Sequence, residues 1–123
     1  MKIAMAVAAS AALLAGCASM GDAPGPKAVA KLAPTKGNTA AGTVTFQQRG
    51  DKMMVSGSIT GLKANAEHGF HVHEKGDCSS GDGMSAGGHF NPDGKPHGPQ
   101  TGVHHAGDMP NLKADANGNA KAT

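Results

Sequence analysis

Residues 42–48 (GTVTFQQ) set Val44 and Phe46 on one side of the chain and Thr43, Thr45 and Gln47 on the other. A period of two predicts a half-buried strand. Gly50-Asp51 follows as a tight turn, and residues 52–60 (KMMVSGSIT) return with Met53, Val55, Gly57 and Ile59 on one face. The two segments therefore predict a hairpin. Upstream, residues 28–34 (AVAKLAP) alternate weakly and predict a first strand; downstream of Gly61-Leu62-Lys63, residues 69–74 (GFHVHE) predict another. From Gly76 to Pro110 the chain is almost all Gly, Pro, Asp, Ser and His, which predicts a long loop without strands. A loop of that length in a small domain is functional or disordered. Residues 111–116 predict the start of one more strand, with Asn117-Gly118 as a turn. The result is an all-β chain of about five strands, too few to close a barrel or complete a sandwich. No internal repeat is visible.

The N-terminus follows a different rule. Met1 and Lys2 precede an uncharged, Ala-rich apolar run from Ile3 to Leu14, which is too short to span a bilayer and matches a secretory signal. It closes on Leu14-Ala15-Gly16-Cys17, which resembles a bacterial lipobox, the motif in which the cysteine becomes the lipidated N-terminus. The alternative is an ordinary signal peptide in which Cys17 is incidental. Residues 18–28 (ASMGDAPGPKA) are rich in Gly, Pro and Ala and predict a flexible tether. The expected organisation is thus a lipoprotein signal at 1–16, a lipidated Cys17 with its tether over 17–27, and a domain over 28–123. Ala18 and Ser19 after the cysteine, rather than Asp, favour the outer membrane by the same resemblance. The mature chain is expected in the periplasm, touching membrane only through its anchor, where disulfides persist.

Composition narrows the function. Phe46, Phe70 and Phe90 are the only aromatics in 123 residues, so the core is built from Val, Ile, Leu, Met and Ala. A core that small gains from a disulfide or a metal. The formal net charge of +2 is scattered and base-stacking aromatics are few, which excludes a nucleic-acid surface. The histidines are the unusual feature: all seven lie between His68 and His105.

His71-Val72-His73 puts two imidazoles on one side of an extended segment, about 6.5 Å apart, while Val72 would point to the core. His68 has the opposite parity and reads as structural. His89, His97 and His105 follow at spacings of eight, and Asp108 lies three beyond His105. Three imidazoles and a carboxylate form a donor set suited to tetrahedral zinc. Binding at several points along a Gly/Pro-rich loop would offset the entropy lost in ordering it. The alternative is a flexible His-rich tract that sequesters metal. Of the adjacent pair His104 and His105, the H-x-x-D spacing favours His105, leaving His104 exposed. Met53, Met84 and Met109 could bind Cu(I) in principle, but gap-filling and loop roles suit them better.

These segments carry a resemblance. Gly69-Phe70-His71-Val72-His73-Glu74, Gly76-Asp77-Cys78, Ser85-Ala86-Gly87-Gly88-His89-Phe90-Asn91-Pro92, His97-Gly98-Pro99 and His105-Ala106-Gly107-Asp108 are similar, in order and spacing, to the copper/zinc superoxide dismutases. The similarity runs from about residue 28 to the end and is densest over 61–112. It implies a Greek-key β-barrel or sandwich whose C-terminal strands are missing from this chain. It implies an enzyme acting on superoxide with copper and zinc as cofactors. By the same resemblance His71, His73 and His89 would bind copper, and His89, His97, His105 and Asp108 would bind zinc. His89 would bridge the two ions and act catalytically, and Cys78 would be half of a disulfide. The family pattern also has a fourth copper histidine, an active-site arginine and a second cysteine beyond the zinc loop. Here no histidine follows His105 and the one arginine is Arg49. A truncated chain is therefore expected, with zinc binding weakened, copper loosely held by three histidines and dismutation poor or absent. The alternative is a non-enzymatic copper/zinc-binding lipoprotein.

Overall fold

The computed structural model describes residues 23–123, so the predicted signal, Cys17 and most of the tether lie outside the described residues. Among the described residues six strands form two antiparallel sheets. Strands β1 (Pro24–Leu32), β2 (Ala41–Arg49), β3 (Lys52–Thr60) and β6 (Ala120–Ala122) make the larger, in the order β1-β2-β3-β6. Strands β4 (Glu67–His68) and β5 (Leu112–Lys113) make the smaller. After β3 the chain crosses to the second sheet, builds β4, the long loop and β5 there, and returns as β6 beside β3. The sheets face one another without closing into a barrel.

The predicted hairpin forms with Gly50-Asp51 at its turn and Arg49 paired to Lys52. Val44 lies opposite Gly57, and Gly42 opposite Ile59. These glycines are required by close approach: a Cβ on Gly57 would stand 2.9 Å from the Val44 Cα. Val44 (1% exposed) and Ile59 (2% exposed) can then sink into the core with Leu112, Ala120 and Ala122, while Phe46, Val55, Leu62 and Phe70 pack around them. Full burial of a side chain such as Val44 stabilises the fold by about 1.5–3 kcal/mol.

Four expectations change. The first strand runs over Pro24–Leu32 rather than 28–34, so residues 24–27, read from composition as tether, pair with β2. Prolines are tolerated there because β1 is an edge strand with an irregular register between Pro24 and Lys27. Residues 69–74 are extended but form no regular strand, making only single bridges at His71 and His73. Their partners are loop segments: the Val72 N–H donates to Gly107 O (2.8 Å) and the Val72 carbonyl accepts from Phe90 N (2.7 Å). Val72 itself does not reach the core and is 37% exposed; Phe70 packs there instead. The predicted strand at 111–116 shortens to β5, and β6 follows the Asn117-Gly118 turn as a strand the pattern did not signal. Among the described residues no helix is long and apolar enough to cross a membrane.

Candidate metal centre

The extended segment 69–74 runs between two stretches of the long loop. One side is held by Phe90 N to Val72 O (2.7 Å) and Glu74 N to Gly88 O (2.9 Å). The other is held by Val72 N to Gly107 O (2.8 Å) and Met109 N to Phe70 O (3.1 Å). His71 is bridged to Asp108 and His73 to His89. This brings residues far apart in the loop to one point. A single 3₁₀ turn, Met84–Ala86, is the loop's only helical element among the described residues.

Asp108 is the hub, with 3% of its side chain exposed. Its Oδ1 lies 3.0 Å from His89 Nδ1 and 3.6 Å from His105 Nδ1, and its Oδ2 lies 2.9 Å from His97 Nδ1. The Nδ1 atoms of His89 and His105 are 3.3 Å apart. A tetrahedral zinc with bonds of about 2.0–2.1 Å requires ligand atoms about 3.3 Å from one another. The separations of 3.0, 3.3 and 3.6 Å among His89, His105 and Asp108 bracket that edge length. All three rings turn the same nitrogen toward one carboxylate. The residues fit zinc.

Burial disfavours the Asp108 charge, but N–H groups of Gly98 (3.3 Å) and His105 (3.1 Å), together with His97, outweigh it and push its carboxyl down to about 2. The aspartate is therefore ionised at neutral pH, as a ligand must be. Gln100 Nε2 adds a bond to the Asp108 carbonyl at 3.1 Å.

His71 and His73 lie against the same cluster. The His71 ring stacks on His89 with centroids 4.0 Å apart and planes 18° from parallel. Burial first, and then repulsion from His89, hold its pKa below the usual 6.5, against the pull of Asp108. That keeps it neutral and able to donate to a metal. Ligand atoms of His71, His89, His97 and Asp108 lie within 4.8 Å of one another. His73 stands further out, its ring 5.3 Å from that of His89. Its Nδ1–H donates to Gly87 O at 2.9 Å, which leaves Nε2 as the free donor atom.

The remaining histidines stay apart, as expected. His68 Nε2 donates to Lys63 O at 3.1 Å. His104 Nδ1 donates to His105 O at 2.6 Å, and its side chain is half-buried beside Asp93 and Lys95 rather than exposed. Among the described residues Cys78 is an exposed free thiol.

Comparison with known proteins gives the family. The profile of the family described as copper/zinc superoxide dismutase (SODC) matches residues 40–123. The chain belongs to this family. A copper/zinc superoxide dismutase of Paramecium bursaria Chlorella virus 1 is 51% identical over 81 residues, covering 65% of this chain and 43% of the viral protein. Those of Cordyceps militaris (49% over 86 residues) and Schizosaccharomyces pombe (48% over 85 residues) cover 68% and 67% of this chain and 55% and 54% of their own. The chain thus spans about half the length of the curated relatives it matches. A solved structure described as the clock protein EA4 superposes with a TM-score of 0.69 at 45% identity, covering 78% of this chain and 59% of that one. Copper and zinc are the family's metals, and the His/Asp cluster of this chain could hold a metal ion.

Sequence reasoning missed the residues that support the candidate ligands. Gly98, Gln100 and Gly87 act through backbone or amide atoms, which leave no pattern of residue type. The adjacent glycines Gly87 and Gly88 were the one available signal of a close backbone approach.

Proposed function

We propose that this chain supports superoxide dismutation at a copper/zinc pair, in an exported and lipid-anchored form. The observation that carries the reading is the position of one imidazole, His89, between two donor groups: Asp108 and His105 at its Nδ1, and His71 stacked on its ring at 4.0 Å. His89, His97, His105 and Asp108 would hold zinc. His71, His73 and His89 would hold copper. When bound, copper supplies the one-electron chemistry that turns two superoxide ions into oxygen and peroxide.

The chain's own residues then have separate tasks. Asp108 supplies the anionic charge that draws three imidazoles together and keeps their Nδ1 atoms on the zinc side. His71, neutral through burial, donates without a proton to displace. With Nδ1 of His89 committed toward Asp108, its Nε2 is the atom that can take a proton and pass it to the peroxide product. Cys78 is available as one half of a disulfide in the oxidising periplasm, and Cys17 is the residue that would carry lipid.

A pulse of superoxide followed optically tests the activity. Copper- and zinc-loaded chain should accelerate its decay, and H89A should not. A second reading, a copper/zinc-binding lipoprotein without turnover, rests on the same His/Asp donor set. Uptake of both metals without accelerated decay would establish that second reading. Export is tested separately by fatty-acid labelling in a bacterial host. Label should appear in the parent chain and vanish in C17S, and equal label in both would remove the anchor.

A further inference from the structure

Gly87 and Gly88 are joined by a peptide that is gripped from both ends. Its carbonyl accepts the His73 Nδ1–H at 2.9 Å. Its N–H donates to Glu74 Oε1 at 3.3 Å. Adjacent residues of the extended segment therefore hold the two polar atoms of one peptide group, and the Glu74 N–H closes the frame on Gly88 O at 2.9 Å. The Glu74 side chain lies against the Gly87 Cα, at φ +72°, where a Cβ would come within 2.8 Å of Glu74 Cγ.

A peptide between two glycines is easily rotated, because neither neighbour has a Cβ to resist other φ/ψ values. Something else must set which way its carbonyl points. The geometry points to Glu74 as a positioning residue for the copper ligand His73: its carboxylate fixes and polarises the Gly87-Gly88 peptide, and the aligned carbonyl holds the proton on His73 Nδ1. Linked hydrogen bonds strengthen one another, so a carboxylate at one end of the peptide makes the carbonyl at the other a better acceptor. The imidazole tautomer is set by this bond, and Nε2 is left bare toward the metal. Glu74 touches neither metal nor substrate; it acts through the peptide.

The inference rests on the assignment of His73 to copper, so the test separates the two. Ring ¹⁵N shifts of His73 in the metal-free chain report its tautomer without any copper. The parent should show the Nδ1–H form, and E74A should shift toward the Nε2–H form. In competition assays E74A should bind Cu(II) about 10–100-fold more weakly, the range for loss of such a supporting group, with zinc affinity unchanged within about threefold. E74Q keeps an acceptor oxygen and should restore the parent tautomer and most of the copper affinity. Parent-like tautomer and copper affinity in E74A would overturn the role, as would an E74Q as impaired as E74A. If H73A bound copper as well as the parent, the ligand assignment itself would fall, whatever the tautomer result.

Discussion

Asp108 accepts from every side: Gly98 and His105 through their backbone N–H groups and His97 through its ring. A carboxyl held below its usual 3.8 in the fold stabilises that fold above 3.8 and loses the contribution as pH falls toward about 2. Metal-free parent chain should therefore be more stable than D108N at neutral pH, with the difference in urea midpoint disappearing across that acidic window. A difference that persists at lower pH would contradict the assignment. The pair His104/His105 gives a cleaner contrast. H105A should lower zinc affinity by about 100-fold or more, while H104A, whose ring bonds only a backbone carbonyl, should leave it within about threefold. Equal losses in a zinc competition assay would refute the choice of His105. The candidate ligands could be picked out because metal chemistry accepts few residue types and ties them to short spacings, as in His71-x-His73 and His105-x-x-Asp108. Val72 and His104 were misjudged because their burial depends on which loop crosses them, and periodicity carries no information about that.

At the level of elements, β2 and β3 emerged from the alternation almost to the residue. Their registers are local, set by a two-residue turn and by glycines opposite Val44 and Ile59. Gly57→Ala should cost about 1–3 kcal/mol in urea unfolding, because its Cβ has no room against the Val44 backbone. A neutral substitution would mean the hairpin is looser than described. Segment 69–74 has the alternation of a strand but lacks strand neighbours, since its hydrogen bonds go to Gly-rich loop backbone. Strand β6 escaped notice for a related reason: Ala120-Lys121-Ala122 is too short and too weakly apolar to signal a strand, and only pairing with β3 makes it one. Non-local partners explain both discrepancies.

Across the whole molecule, a small core at one end of the larger sheet supports a long loop whose order depends on a handful of side chains. Metal present at about 100 times its dissociation constant stabilises the ordered state by about 2.7 kcal/mol, equivalent to a 100-fold change in the opening equilibrium. Adding a chelator should therefore raise proteinase K cleavage within the loop by about that factor and leave the β2–β3 hairpin much less affected; uniform sensitivity would argue against a metal-ordered loop. The all-β class was readable from the alternation, and the strand-free loop from composition, because so many glycines and prolines cannot form a packed core. The crossing from β3 through the second sheet and back to β6 was not, since topology depends on contacts between residues about sixty positions apart. Metal content of refolded, doubly loaded chain, measured for parent and H89A, addresses the shared imidazole directly. The parent should carry about one copper and one zinc per chain, and H89A should lose both; a parent that takes up one kind of ion, or an H89A that keeps the two, would contradict it.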